Sequence, residues 1–176
     1  MENIVIRQLE QTDKEAFLRY AADWKKETSP FKIEATERYP NFKAEDFEAY
    51  QTDLRRQETA PKQTDYSTAT HYFAFVEGEI AGEVSCRWQI EKGILLEWGG
   101  HIGYGVAPSF RGHGLAQEMV KFVLPEYRKR GISRVMISAD EGNWASRKTI
   151  EAVGGLLENT VLVEDERVCR YWVELP

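Results

Sequence analysis

Residues 103–120 read GYGVAPSFRGHGLAQEMV, and the parsing of this stretch decides the fold. Gly103 to Val106 end an extended, glycine-punctuated segment, and Pro108 stops it. Arg111-Gly112-His113-Gly114 turn the chain, after which Leu115, Met119, Phe122 and Val123 recur at helical spacing. The order is strand, tight turn, helix. A helix that starts on a glycine turn presents amides with no partner inside the helix, together with the positive end of its macrodipole. Glycines at 112 and 114 let the backbone curl closely around a ligand. The combination suits an anion, a pyrophosphate above all. The rival reading is a glycine turn before a helix with no ligand at all. A Walker loop would need Lys and then Ser or Thr after the last glycine, where Leu115 and Ala116 stand. A dinucleotide fingerprint would need a third glycine where Pro108 stands.

Working toward the C-terminus, the helix covers 114–130, with Arg128, Lys129 and Arg130 on its negative end before Gly131. Pro125 inside it predicts a kink. RVMISA (134–139) reads as a strand, and ASRKTIEAV (145–153) as a helix stopped by Gly154-Gly155. LLENTVLV and RVCRYWVEL read as a hairpin turning at Glu164-Asp165. Toward the N-terminus, ILLEWGGHIGYGV (94–106) is expected as a strand whose glycines mark a bulge or a close backbone approach. HYFAFVEGEIAGEVSCRWQI is a hairpin with its turn at Glu77-Gly78. Residues 58–70 read as loop, and 43–57 as a helix burying Phe47, Tyr50 and Leu54. TSPFKIEATERYPN (28–41) reads as loop. A first helix spans about 13–26, with Thr12 and Glu15 as its capping box, after a short strand at Ile4, Val5 and Ile6. The element order is β-α-α-β-β-β-α-β-α-β-β. This is an α/β fold, a mixed β-sheet flanked by helices, in one domain spanning 1–176. Parallel pairing is expected in the second half and antiparallel pairing elsewhere.

Composition sets outer limits. Hydrophobic residues make up 42% and charged residues 30%, as in an ordinary globular domain. The net charge of -6 argues against non-specific binding to nucleic acid, which needs a basic surface. No apolar run is long enough for a membrane helix or a signal peptide, so a cytoplasmic protein is expected. Cys86 and Cys169 form no C-x-x-C pair and read as reduced core residues. His71, His101 and His113 share no ligand spacing, so no metal is expected.

With these residues in view, the chain resembles the GNAT superfamily of N-acetyltransferases. Arg111-Gly112-His113-Gly114-Leu115-Ala116 matches its pyrophosphate motif, (Gln or Arg)-x-x-Gly-x-(Gly or Ala). Asn143 and Ser146 match the Asn-x-x-Ser that many members carry at the next strand-to-helix junction, and the element order is the family's. The resemblance implies acetyl-CoA as co-substrate, lying in a V-shaped opening between the strand ending at Val106 and the strand at 134–139. It implies amides of Arg111, Gly112, His113, Gly114, Leu115 and Ala116 on the pyrophosphate. Tyr104, Gly105 and Val106 would line the pantetheine and thioester, and Asn143 and Ser146 would contact the pantetheine arm. Other readings stand beside these. Asn143 is also a good helix cap, Arg111 also reads as a solvated charge, and His113 as a source of its backbone amide alone.

Acyl transfer to an amine needs a base for the ammonium, and an acid for the departing thiolate adds to the rate. Many relatives place a tyrosine acid seven residues beyond the equivalent of Asn143, where this chain has Ile150. Ser146, a water, another tyrosine or the substrate would then protonate the sulfur. Candidate bases are His101 and Glu97, on the strand where relatives carry Glu or His. The competing readings are a hydrogen-bonded structural histidine and a solvated strand carboxylate. The acceptor pocket implied by relatives comes from the first two helices, their loop and the last hairpin, which contain Glu27, Glu34, Glu37, Glu164 and Asp165 beside Trp24, Phe31 and Tyr39. The same residues also read as charges on solvated loops with core aromatics. The acceptor is a small-molecule or peptide amine, with neither nucleic acid nor membrane as partner, and free sheet edges would permit a homodimer. The alternatives are a non-catalytic acyl-CoA-binding module and a transferase of another acyl group.

Overall fold

The computed structural model describes residues 3–31 and 34–176; Lys32 and Ile33 of the expected 28–41 loop lie outside the described residues. In chain order the elements are β1 (Ile4–Arg7), α1 (Lys14–Asp23), α2 (Glu34–Arg38), α3 (Phe47–Arg56), β2 (Ala69–Val76) and β3 (Glu79–Arg87). There follow β4 (Ile102–Val106), α4 (Leu115–Lys129), β5 (Arg134–Asp140), α5 (Trp144–Ala152), β6 (Leu156–Val163) and β7 (Glu166–Glu174). The strands form two ladders, β1-β2-β3-β4 and β5-β7-β6.

Both hairpin turns fall where the sequence puts them. Glu77 and Gly78 take φ of 51° and 83°, the pair of positive values a two-residue turn needs to match strand twist. Glu164, at φ 52°, opens the second turn. Between Ala74 and Phe75 the β2–β3 register slips. Ile80 consequently packs beneath α1–α3, while Ala81, Val84 and Cys86 pack beneath α4. The first face is an aromatic cluster around Phe17, whose ring meets Tyr20, Tyr39, Phe42, Phe47, Tyr50 and Phe73 at centroid distances of 5.0–6.0 Å. The second face joins Leu115, Met119, Val120, Val123 and Tyr127 of α4 to β3, β4, β5 and β7.

Several expectations are corrected. The first helix is not started by a Thr12/Glu15 box: Asp13 accepts from the Glu10 N–H at 2.8 Å and pairs with Arg7. Part of the 28–41 stretch is the short helix α2. The strand expected from residue 94 begins only at Ile102, and Leu95–Gly99 form a π-helical turn closed by Gly100 N–H donating to the Leu95 carbonyl. Leu95 is buried there against Ile90 and Met136, which explains why a short apolar run resembles a strand. Phe122 is exposed, its ring edge on Tyr72, and Val120 and Tyr127 take its place in the buried stripe. The parallel ladder expected in the second half is absent: each of the five described pairings is antiparallel, and β4 and β5 stand in separate ladders.

Candidate active site

The separation of β4 from β5 creates the site. The two strands meet at one point, where the His101 N–H donates to the Met136 carbonyl at 2.8 Å and His101 Nδ1 accepts from the Met136 N–H at 2.9 Å. A side chain thus completes what a strand ladder would have continued. The His101 carbonyl accepts from the Tyr127 hydroxyl (2.7 Å) and the Arg87 N–H (2.8 Å), and the ring stands edge-on to Tyr127. Burial pushes the imidazole down to about 4, so it is neutral at physiological pH. With Nδ1 engaged and the residue 5% exposed, His101 is the vertex of a V, a structural part rather than a free base. Gly100 completes the vertex: at φ 67°, a Cβ there would lie 2.7 Å from the Met136 carbonyl oxygen. Glu97 projects from the π-turn into solvent, with no hydrogen bond or ion pair among the described residues, and does not join His101 in a shared constellation.

Beyond the end of β4 lies the glycine turn. Gly112 and Gly114 hold φ of 83° and 76°, and a Cβ on either would meet nothing within 4 Å. Among the described residues no carbonyl or side-chain oxygen accepts from the N–H groups of Gly112, His113, Gly114, Leu115 or Ala116. Gly112, His113 and Gly114 are exposed, while Leu115 is anchored in the core. Five successive unpaired amides opening a 15-residue helix form an anion cradle. The Arg111 side chain faces backward. Its Nε donates to the Val106 carbonyl at 3.0 Å, and its terminal nitrogens grip the Glu27 carboxylate. Hydrogen bonding and charge from Arg111 hold Glu27 down to about 2. Asp23 adds a second tie, accepting from the Ser109 N–H (2.9 Å) and hydroxyl (2.6 Å). Asp23 at the end of α1 and Glu27 four residues beyond it thereby fix the turn through two carboxylates.

The far side of the V is the β5–α5 junction. Asn143 caps α5, its side-chain oxygen accepting from the Ser146 N–H at 3.1 Å. Ser146 Oγ lies 2.7 Å from the Tyr104 hydroxyl, which bridges from β4 across the opening. Burial pushes the Tyr104 phenol up to about 12. Ile150 is fully buried in the core beneath α4.

One residue that the sequence reading did not single out stands on the same stretch of sheet. Glu83 pairs in register with Gly105 and lies on the face of β3 covered by α1–α3. The Tyr39 hydroxyl donates to its Oε2 at 2.5 Å, and Tyr39 is itself 2.8 Å from the Tyr50 hydroxyl. Desolvation raises the Glu83 carboxyl above the ordinary range, partly offset by Tyr39 and by the charge of Arg38. A Cβ on Gly105 would lie 3.3 Å from the Trp24 indole, so the ring roofs the same spot. Of the acidic and aromatic residues expected around the acceptor, Trp24 and Tyr39 are here. Glu27 and Glu34 are occupied by Arg111 and Arg38, and Phe31 packs near Gly142. Among the described residues no cluster of His, Cys, Asp or Glu is arranged to hold a metal, and no helix is long and apolar enough to cross a membrane.

The family model for the acetyltransferase (GNAT) domain matches residues 3–155. No curated protein matches the chain. Ribosomal-protein-S5-alanine acetyltransferase from Vibrio fischeri is similar in structure, with a TM-score of 0.73 over 99% of this chain and 94% of that one, at 16% identity. RimL, a ribosomal L7/L12 alpha-N-protein acetyltransferase solved in complex with coenzyme A, gives 0.68 over 99% and 96%, at 18% identity. The acetyltransferase-like yncA from Salmonella typhimurium, solved with acetyl-CoA, gives 0.64 over 98% and 94%, at 14% identity. Likeness at such identities establishes the fold, whereas the family match spans most of the sequence, including the cradle and both sides of the V. The chain belongs to the GNAT acetyltransferase family.

Proposed function

We propose that this chain moves an acetyl group from acetyl-CoA to a primary amine by direct attack in a ternary complex. The observation that carries the reading is the run of unpaired amides from Gly112 to Ala116, opening on the gap between β4 and β5. That coenzyme A and acetyl-CoA occupy RimL and yncA supports it. The cradle fits a diphosphate: its donors are unsatisfied, its glycines leave the approach open, and the helix end favours negative charge. Arg111 contributes its amide and holds the turn, Gly105 and Val106 offer strand backbone to the pantetheine arm, and Asn143 and Ser146 border it. Acetyl-CoA supplies the activated thioester.

Glu83 replaces His101 and Glu97 as the base. It faces Gly105, holds a carboxylate in a partly desolvated place, and accepts the proton that frees the amine lone pair. The amine then forms the C–N bond as the C–S bond breaks, and the second N–H proton it sheds passes through water to replace the one that Tyr104 gives up. Tyr104 and Ser146, hydrogen-bonded to each other beside the opening, deliver a proton to the sulfur. The phenol, pushed up to about 12, carries its proton at neutral pH. This pair does the work for which Ile150 has no chemistry. The buried Ile150 also favours a second reading, a non-catalytic acyl-CoA-binding module. Thermal shift with acetyl-CoA and coenzyme A tests binding, because saturating ligand stabilises by RT ln(1 + [L]/Kd). Thiol release across an amine panel tests turnover. Stabilisation with thiol release supports the enzyme, stabilisation without release supports the module, and neither rejects both.

A further inference from the structure

The face of β4 toward α1–α3 carries only glycines, with Trp24 lying close on Gly105 and Arg87 close on Gly103, and two charged residues of β3 share that face. Gly105 is opposite Glu83 and Gly103 is opposite Ser85. Arg87, next on the same face, folds back so that a Cβ on Gly103 would lie 3.0 Å from its Nη2. Its Nη1 is held by the carbonyls of Gly99 (2.8 Å) and Gly100 (3.1 Å), and the Tyr66 ring flanks it. Nη2 and Nε have no acceptor, and the half-buried guanidinium has no carboxylate partner, among the described residues. Arg38, by contrast, already has Glu34. Glu83 Oε1 on the same face has no donor among the described residues, since Tyr39 takes only Oε2. A cation without a counter-ion and a carboxylate with an open oxygen therefore look onto one strip of glycine backbone.

We propose that the acceptor is a small zwitterionic amine of the amino-acid type, its ammonium at Glu83 and its own carboxylate at Arg87. The inference rests on the acetyltransferase reading and sharpens it. Glu83 and Arg87 are four residues apart, but the Arg87 guanidinium folds back over Gly103, two residues from Gly105 on β4. Two residues along a strand span about 7 Å. Hydrogen bonds of about 2.8 Å at each end of an amino acid's adjacent ammonium and carboxylate cover that span. A half-buried guanidinium gains most from a planar anion it can grip with two N–H groups. The net charge of -6 opposes a polyanion but not an electroneutral ligand.

The test is thiol release from acetyl-CoA with matched pairs, each amino acid against its own C-terminal amide, plus short peptides with a free N-terminus. The amino acid should exceed its amide in kcat/KM by roughly 10- to 100-fold, the range for losing a charge-assisted hydrogen-bonded pair. In Arg87→Gln that ratio should collapse toward one through KM, while calorimetry still registers acetyl-CoA. Titrating each pair into coenzyme A-loaded protein reads the same preference as Kd, so acid and amide are distinguished even where no turnover occurs. Equal handling of acid and amide, or preference for the peptides, overturns the proposal. So does an Arg87→Gln variant that weakens acid and amide alike, which would make Arg87 a clamp for Gly99 and Gly100 only. Loss of acetyl-CoA binding in the unaltered protein would instead strike the underlying reading.

Discussion

Replacing Glu27 with Gln keeps the side chain's size and removes one charge from the tie between α1 and the glycine turn. In the native protein Glu27 accepts from Arg111 and from the N–H groups of Thr28 and Ser29, and its carboxyl falls from 4.5 to about 2. At about 1.4 kcal/mol per pH unit this corresponds to a ceiling of about 3 kcal/mol. Arg111 is 38% exposed although Glu27 is only 7% so, and solvent screening reduces the figure to ~1–2 kcal/mol. The sign follows from the depressed carboxyl. The stabilisation is fully present above 4.5 and disappears as pH falls toward 2. Urea unfolding should therefore show Glu27→Gln weaker than the native chain by ~1–2 kcal/mol at pH 7, with the gap narrowing at pH 3. Because the same pair positions Val106 and the turn, acetyl-CoA affinity at pH 7 should drop roughly three- to tenfold, tenfold being about 1.4 kcal/mol. A stability gap that ignores pH, or an affinity that ignores the substitution, refutes the reasoning.

Three further outcomes are expected. Gly114→Trp projects into open space, so the fold should survive with about 1–2 kcal/mol of left-handed backbone strain, while calorimetry should find acetyl-CoA binding abolished; undiminished affinity would remove the cradle from this turn. His101→Ala leaves the Met136 N–H without its acceptor and should lower unfolding stability by roughly 1–3 kcal/mol without changing the shape of the pH–rate profile; a lost titration limb would restore His101 as the base. Glu83→Gln should reduce kcat/KM by roughly 100- to 10,000-fold. The native rate should rise with pH through a limb displaced above the ordinary carboxylate range, since the base acts only when deprotonated and burial raises its pKa. A limb that persists in Glu83→Gln would exonerate that carboxylate.

What could be read from the chain was local. The hairpin at Glu77-Gly78, the helix opening at Gly114 and the cap at Asn143 each depend on a few neighbouring residues with definite backbone demands. What escaped reading depended on distant packing. ILLEWGG has the apolar content of a strand, and its π-turn arises because Leu95 finds a pocket against Met136, some forty positions later. His101 carried the marks of a catalytic histidine, a lone polar ring among glycines. Only the approach of β5 reveals that Met136 has claimed it. Glu83 alternates with Val84 as any solvated strand residue does. Its altered chemistry comes from residues 17–54 folding over that face, which leaves no local trace in EIAGEVSCR.

The five residues IGYGV of β4 show how one short strand serves two partners. Side chains alternate, so Ile102, Tyr104 and Val106 face α4 and α5, while Gly103 and Gly105 face Trp24, Glu83 and Arg87. Bulk on the first face locks the strand to the core and sends the Tyr104 hydroxyl toward Ser146. Glycine on the second face lets Trp24 and Arg87 lie directly on the backbone, at a cost in strand stability, since glycine weakens a ladder. The vertex at His101 compensates by fixing the strand's entrance with four hydrogen bonds, and Arg111 fixes its exit through the Val106 carbonyl. Between these anchors β4 is paired on one edge only, with β3. Its other edge keeps backbone donors and acceptors available to an extended amide-bearing chain, which is the requirement for seating a pantetheine arm. An unpaired strand edge is ordinarily a liability for aggregation. Here Tyr104 and α5 stand beside it and shelter it from another protein strand, which accounts for leaving it open.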